Sequence, residues 1–344
     1  MIINKLKTAI AVAVLFSIFS CSKEEINLSN LDETIYVRHR QADMSAYVHG
    51  NASDKVFLIY LHGGPNGAGL EARINTMITE VEENNAVVYF DQRGSGNSQG
   101  NYSEEDLTID IMADDVLALV KVLRTKYGDD AKFFLMGASW GGTLGPATLL
   151  KGQEAFLGWI DVAGAHSPKD LYPEYHIRLL EKANEQIAMG NSVSHWESVL
   201  ELLQNVGSDF SDEDFPKLNG ISHASEEVLA SDAVIDQRRL VREDGTERGF
   251  AVRNNTQTAI TLSENGLWRD VSFTDRLPEI TIPSLVLWGK HDLVVPTKFA
   301  QEAFDNLGAA NKELFIFERS GHSPLESEPE LFAEKVIEFI NAYR

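Results

Sequence analysis

The pentapeptide Gly137-Ala138-Ser139-Trp140-Gly141 sets a serine between two glycines, with an apolar run before it and a helix-forming stretch after it. A serine on a tight strand-to-helix turn has its hydroxyl pushed out at the sheet edge, and side chains at the flanking glycine positions would clash in so sharp a turn. Such a turn would make Ser139 a nucleophile. By composition alone the string arises in about one chain of this length in ten, so its weight comes from the strand and helix around it. A serine hydroxyl is a poor nucleophile at neutral pH and needs a base. Asp292 and His322 are the candidates, each a few residues beyond a short apolar run. The order serine, acid, histidine is one in which this chemistry is built. There His322 would take the Ser139 proton and later protonate the leaving group, while Asp292 holds the imidazole tautomer and stabilises the cation.

The third requirement is a pair of backbone N–H donors aimed at the developing oxyanion. His62-Gly63-Gly64-Pro65 follows the apolar run Lys55–Leu61. A donor without a side chain lets a carbonyl approach closely, which selects Gly64; the second donor is Trp140, the residue after the nucleophile. His166 stands just after another apolar run and could line the same pocket. The histidines and carboxylates show no metal-ligand spacing such as H-E-x-x-H. Gly94-Ser95-Gly96 lacks the G-x-G-x-x-G frame of a nucleotide loop. No metal and no cofactor is implied.

Elements that could position these residues are legible on either side. Thr34–Arg38 and Ser45–His49 suit an antiparallel hairpin at a sheet edge. Lys55–Leu61, Ala86–Phe90, Lys132–Met136, Gly158–Val162, Ser284–Trp288 and Glu313–Phe317 are short and nearly continuously apolar, as parallel strands covered on both faces are. Met112, Val116, Leu119, Val120, Leu123 and Tyr127 recur at spacings of 3 and 4, and so do Phe332, Val336, Phe339, Ile340 and Tyr343. Strand alternating with amphipathic helix predicts an α/β fold with a mostly parallel, doubly wound sheet. Between about Ala165 and Asp270 the alternation stops and the sequence turns helical, rich in Glu and Leu. The expected organisation is a core over 33–165 and 271–344, interrupted by a helical cap over 166–270.

The 344 residues suffice for one such core and its insertion. With 43% hydrophobic and 24% charged residues, the chain is neither disordered nor polytopic in a membrane. A formal charge of −22 argues against a nucleic-acid partner, which needs clustered Lys and Arg. A small molecule or short peptide is the expected substrate.

Residues 1–20 read as a signal: Lys5 and Lys7 precede an apolar stretch, Ala9 to Phe19, too short to span a bilayer. Cys21, the chain's single cysteine, follows Ile18-Phe19-Ser20. The arrangement resembles the lipobox of bacterial lipoproteins, in which the cysteine is lipidated and becomes the new N-terminus; Phe19 is bulkier than that box usually carries. A lone cysteine rules out any intramolecular disulfide. Ser22-Lys23-Glu24-Glu25 resembles the acidic tag that sends some lipoproteins to the cell surface, and residues 21–32 read as a polar tether. A lipid-anchored protein of the cell envelope is the expectation.

His62-Gly-Gly-Pro-Asn66, Asp91-Gln-Arg-Gly-Ser-Gly-Asn-Ser98, Gly137-Ala-Ser-Trp-Gly-Gly142, Gly289-Lys-His-Asp292 and Ser320-Gly-His322 together resemble the proline iminopeptidase branch of the α/β-hydrolases. The resemblance implies the α/β-hydrolase fold with a helical cap, a triad of Ser139, Asp292 and His322, and oxyanion donors at Gly64 and Trp140. Asn66 stands where that family usually has glycine. The implied activity is release of N-terminal residues from small peptides through an acyl-enzyme. The implied cap acids that hold the substrate's free amino group are, by location, Glu174 and Glu197, with Glu181 and Glu201 as further candidates. Two other readings stay open: a carboxylic-ester hydrolase with the same triad, and a non-catalytic surface lipoprotein that binds a small molecule. Epoxide hydrolases and dehalogenases of this fold carry Asp at the nucleophile position, where this chain has Ser139.

Overall fold

A computed structural model describes residues 27–74, 77–238 and 256–344. Residues 1–20, Cys21 and the rest of the tether up to residue 26 lie outside the described residues. The strands are β1 (Leu31–His39), β2 (Ala42–Gly50), β3 (Val56–Leu61), β4 (Ala86–Phe90), β5 (Gln99–Gly100), β6 (Lys132–Ala138), β7 (Gly158–Val162), β8 (Ser284–Gly289) and β9 (Lys312–Phe317). They form one sheet in the order β1-β2-β4-β3-β6-β7-β8-β9, with short β5 paired to β2. β1 and β2 make the antiparallel hairpin read from the sequence, and β2 also runs antiparallel to β4. From β4 to β9 every pairing is parallel.

The apolar runs become strands because their alternate residues fill two layers. Phe57, Ile59 and Leu61 face one side of β3, and Val56, Leu58 and Tyr60 the other. The same double burial holds for β4, β7 and β8. It fails for β9, which is only half-buried along most of its length because it closes the sheet edge. The expectation of cover on both faces was therefore too strong for that run.

Helices α1 (Met77–Asn84), α2 (Ile109–Tyr127) and α3 (Gly141–Gly152) follow the first strands. α2 is started by Thr108, whose hydroxyl caps the Ile111 N–H, and all six residues of its apolar stripe are buried. Between β7 and β8 the described residues form helices only: α4 (Leu171–Met189), α5 (Val193–Asn205), α6 (Phe215–Ser231), α7 (Thr256–Glu264) and α8 (Leu267–Asp270). α4 ends at Gly190, whose left-handed φ of 78° lets its N–H close onto the Gln186 and Ile187 carbonyls. Tyr172, Tyr175 and Leu179 of α4 share a buried cluster with Trp196 of α5 and Leu218 and Leu229 of α6. α9 (Lys298–Asn306), α10 (Pro324–Ser327) and α11 (Pro329–Tyr343) complete the chain. In α11, Phe332, Val336, Phe339 and Ile340 bury against the sheet, and Tyr343 is half-buried.

One contact ties the first helix after the serine to the sheet beneath it. Trp159 of β7 is fully buried with its ring against Gly145 of α3, where any Cβ would run into it. Gly145→Val should therefore cost about 1–3 kcal/mol through overpacking, read as a lower urea midpoint at unchanged slope. An unaltered midpoint would show that the ring has room to move.

Candidate active site

Ser139 sits between the end of β6 and the start of α3 with φ 55°, the left-handed region that non-glycine residues rarely occupy. Three backbone hydrogen bonds hold it there. Its N–H donates to Val162 O (3.0 Å), and its carbonyl accepts from Gly142 N–H (2.8 Å) and Ala165 N–H (2.9 Å). The flanking glycines are sterically required: a Cβ on Gly137 would run into the Gly141 backbone, and one on Gly141 into the Leu61 carbonyl. Gly63 crosses directly over the serine, its hypothetical Cβ 3.4 Å from Ser139 Cβ and 3.9 Å from Oγ. The loop after β3 and the turn after β6 thus meet at Ser139.

Gly64 and Trp140 line the same cavity as Ser139. Gly64 has φ 132°, and a side chain there would collide with the Asn66 backbone nitrogen. Neither the Gly64 nor the Trp140 N–H donates to an acceptor among the described residues. That leaves two donors for an oxyanion. The pair is held together by Gln92, buried at 1% exposure. Gln92 Nε2 donates to the His62 carbonyl (3.1 Å), and its Oε1 accepts from Trp140 Nε1–H (2.7 Å). His62 is fully buried, and desolvation pushes its pKa down to about 4, so it stays neutral with Nδ1 on the Gly63 carbonyl (2.7 Å).

The neighbours of Gln92 do similar work. Asp91 accepts from the Gly69 and Asn97 N–H groups at 2.8 and 2.7 Å. Arg93, buried completely, forks onto Asp115 of α2 at 2.8 and 2.7 Å and donates to the carbonyls of His39 and Arg40. A fork of this kind satisfies both ions without water.

Asp292 and His322 stand beyond the C-terminal ends of β8 and β9. Asp292 Oδ1 accepts from the N–H groups of Val294 (2.9 Å) and Val295 (2.8 Å), while Oδ2 lies 2.9 Å from His322 Nδ1. That contact fixes the tautomer: Nδ1 carries the proton and Nε2 is free to accept one. Burial pushes His322 down to about 4, which keeps the imidazole neutral at pH 7, and pushes Asp292 upward against the pull of its two amide partners. His322 and Ser139 face one cavity but form no hydrogen bond with each other in this geometry. Such links commonly tighten only when substrate binds.

The cavity encloses about 410 Å³. The core contributes Tyr60, Glu71 and Glu326 to its wall, and the helical segment contributes Tyr175, Asn219, His223 and Trp268. Glu71 is half-buried, and burial together with the charges of Asp91 and Glu326 pushes its pKa up. Burial does the same to Glu326, opposed by Arg238 at 3.7 Å. The His223 ring meets His322 edge-on at 6.0 Å, and burial lowers its pKa to about 4.

The acids expected of the cap are elsewhere. Glu174 is buried on α4, but its carboxylate is taken up by Lys298 Nζ at 2.8 Å and does not reach the cavity. Glu197 and Glu201 lie on the exposed face of α5, and Glu181 pairs with Arg178 in solvent at 2.8 Å. His166 also fails as a lining residue: Ala165 faces the cavity, so the next side chain points away, onto Phe299 and Glu302 (3.2 Å). Glu71, Glu326, Asn219, His223 and Gln92 were not read from the sequence. For the cap residues a signal existed, since Asn219, His223 and Glu226 are spaced by 4 and 3 and so share one helix face. Among the described residues no group of three His, Cys, Asp or Glu side chains converges as a metal site would require.

Fold and site together define an α/β-fold serine hydrolase. More particularly, residues 54–330 match the family described as serine aminopeptidase, S33, and the chain belongs to it. It is 27% identical over 288 residues to "Probable aminopeptidase YbaC" of Bacillus subtilis, covering 80% of this chain and 86% of that one. It is 26% identical over 287 residues to a proline iminopeptidase of Saccharolobus solfataricus, covering 83% and 84% respectively. Among solved structures, a proline iminopeptidase-related protein of Thermus thermophilus shares the fold at a TM-score of 0.60 and 22% identity, covering 91% of this chain and 98% of that one. An esterase from Exiguobacterium antarcticum shares it at a TM-score of 0.56 and 20% identity, covering 90% and 100% respectively.

The bridge made by Gln92 generates a test. Gln92→Met keeps the length of the side chain but strands the Trp140 indole N–H and the His62 carbonyl. The Gly64 and Trp140 N–H groups then lose their common tie, and if they hold an oxyanion kcat should fall about 10–100-fold with KM little changed. Steady-state kinetics check this; an unaffected kcat would place Gln92 in packing alone.

Proposed function

We propose that the chain is a proline iminopeptidase-like aminopeptidase that releases N-terminal residues from small peptides. The observation that carries this reading is Glu71: a half-buried carboxylate on the wall of the Ser139 cavity, with no ion pair among the described residues. A desolvated carboxylate of that kind favours a cationic group, and a free α-amino group is the cation a short peptide brings. The Bacillus subtilis and Saccharolobus solfataricus relatives, each matched over four fifths or more of this chain, carry aminopeptidase and iminopeptidase names, which supports the same reading.

In this mechanism His322 Nε2 takes the Ser139 proton as Oγ adds to the scissile carbonyl. The oxyanion settles between the Gly64 and Trp140 N–H groups. Asp292 stabilises the imidazolium, which then protonates the leaving amine and leaves an acyl-enzyme. Water, activated by the same histidine, attacks the acyl carbon and frees Ser139.

Ser139→Ala should lower turnover of every substrate by at least about 10³-fold with the fold intact. Aminoacyl-arylamides with a free N-terminus should be cleaved faster than N-blocked ones, and Glu71→Gln should raise KM for the free-amine substrates by about tenfold or more. A preference for p-nitrophenyl esters without amidase activity would instead identify an ester hydrolase.

We also propose that Cys21 carries a lipid anchor in the cell envelope, on the strength of the short apolar stretch and single cysteine that precede the tether. Cys21→Ala should release the protein from the membrane fraction; unchanged partitioning would refute the anchor.

A further inference from the structure

We propose that Glu226, on helix α6, is a positioning residue that locks the His322 and Asp292 loops together and makes the proton-transfer pair depend on the seating of the cap. This inference rests on the assignment of Ser139, His322 and Asp292 made above.

Glu226 is 1% exposed and lies seven residues along α6 from Asn219, on the face turned to the site. Its two oxygens are used on two different loops. Oε1 accepts the N–H of Leu293, the residue after Asp292, at 2.9 Å. Oε2 accepts the N–H of His322 itself at 2.8 Å. Gly321 passes so close that a Cβ there would run into the Glu226 carboxylate, with Cδ only 2.7 Å away. One side chain from the cap therefore holds the backbone of both the base and its acid partner.

A carboxyl buried this deeply is costly unless its lone pairs are satisfied. Here two amides satisfy them, and the Arg238 guanidinium lies 3.5 Å away. The cost has a return at the site. Burial beside Asp292 raises the Glu226 pKa to about 7, and where it is ionised its charge favours the imidazolium formed when His322 takes the serine proton, against the opposing effects of burial and Arg238. The other groups around it are Glu326 beyond β9, the Tyr175 hydroxyl of α4, and His223 and Glu227 on its own helix. Of these, Glu326 works with Glu226 on His322, while neutral His223 does not compete. Fixing the two loops from a third element also sets the 2.9 Å His322–Asp292 contact before substrate arrives, which is where preorganisation lowers a barrier.

The test compares the full-length protein with Glu226→Gln and Gly321→Ala, using p-nitrophenyl acetate and alanine p-nitroanilide as probes. Glu226→Gln keeps the volume and one acceptor but removes the charge and one amide bond. The expected result is a kcat lower by about tenfold or more with KM within about twofold on both probes. Because burial beside Asp292 raises Glu226 to about 7, its charge beside His322 is present only above that pH, so Glu226→Gln should also remove a titration step near pH 7 from the kcat/KM profile. Gly321→Ala displaces the carboxylate but keeps it in the protein, so it should lower kcat and leave that step in the profile. If Glu226→Gln does not fold, the kcat and KM of Gly321→Ala decide alone. The proposal is overturned by wild-type kcat and pH profile in Glu226→Gln, or by a loss confined to KM, which would make Glu226 a substrate contact. It is overturned equally if the melting temperature falls while kcat per folded molecule does not. An active Ser139→Ala would instead overturn the assignment of the triad.

Discussion

The left-handed backbone at Ser139 is the constraint around which the rest of the structure is organised. A non-glycine residue at φ 55° costs about 1–3 kcal/mol and persists only where its surroundings over-determine it. Here they do so from several directions. β7 supplies Val162 as an acceptor, and Ala165, just past it, supplies a donor. Gly137 and Gly141 remove the Cβ atoms that would block the turn, and Trp159 wedges beneath α3. The strained turn presents the hydroxyl to the cavity instead of to the core, and the same turn leaves the Trp140 N–H without an acceptor among the described residues. The proposed nucleophile and one of its proposed oxyanion donors are thus consequences of one backbone conformation.

That conformation would be of little use if the surrounding loops were independent of it. Each is tied by a buried polar residue with a complete set of partners. Gln92 joins the Gly63-Gly64 loop to Trp140, Asp91 fixes the amides of Gly69 and Asn97, and Arg93 anchors the segment to Asp115 on α2. On the opposite side, Asp292 is held by two amides of its own loop, and Glu226 reaches from the cap to the amides of Leu293 and His322. Buried groups of this kind stabilise little on balance but are costly to leave unpaired, so they define geometry more than they add stability. Moving any one loop strands a partner on another.

This division explains what could be read from the sequence. The strands, the serine turn and the order of Ser139, Asp292 and His322 depend on local patterns: short apolar runs, and residues placed just beyond their C-terminal ends. β9 departed from the pattern because edge position is a property of the sheet order, which no single run encodes. The cap residues were missed for a related reason. Helical periodicity groups Asn219, His223 and Glu226 on one face, but which face meets the cavity depends on how α6 packs against α4 and the core. His166 shows the opposite error, since a one-residue difference between it and Ala165 reverses the direction of the side chain. Glu174 was singled out by its location alone and is buried, yet Lys298, a residue 124 positions away, takes its charge.

The outcome is an uneven sharing of polarity within the cavity. Its charged side chains, Glu71 and Glu326, come from the core, on segments that follow the Gly63-Gly64 loop and His322. The cap wall offers Asn219, whose amide donates to the Tyr175 hydroxyl at 2.8 Å, and His223, held neutral by burial. Of the two acids, Glu326 is partly compensated by Arg238, whereas Glu71 has no such neighbour among the described residues. A cationic end of a substrate would therefore be drawn toward the Gly63-Gly64 loop, on the oxyanion side of Ser139. Shape selection by the cap and charge selection by the core would then act on different ends of the same small molecule. In such an arrangement the cap could change its lining during evolution without disturbing the charge recognition, provided that Glu226 kept its hold on the two loops.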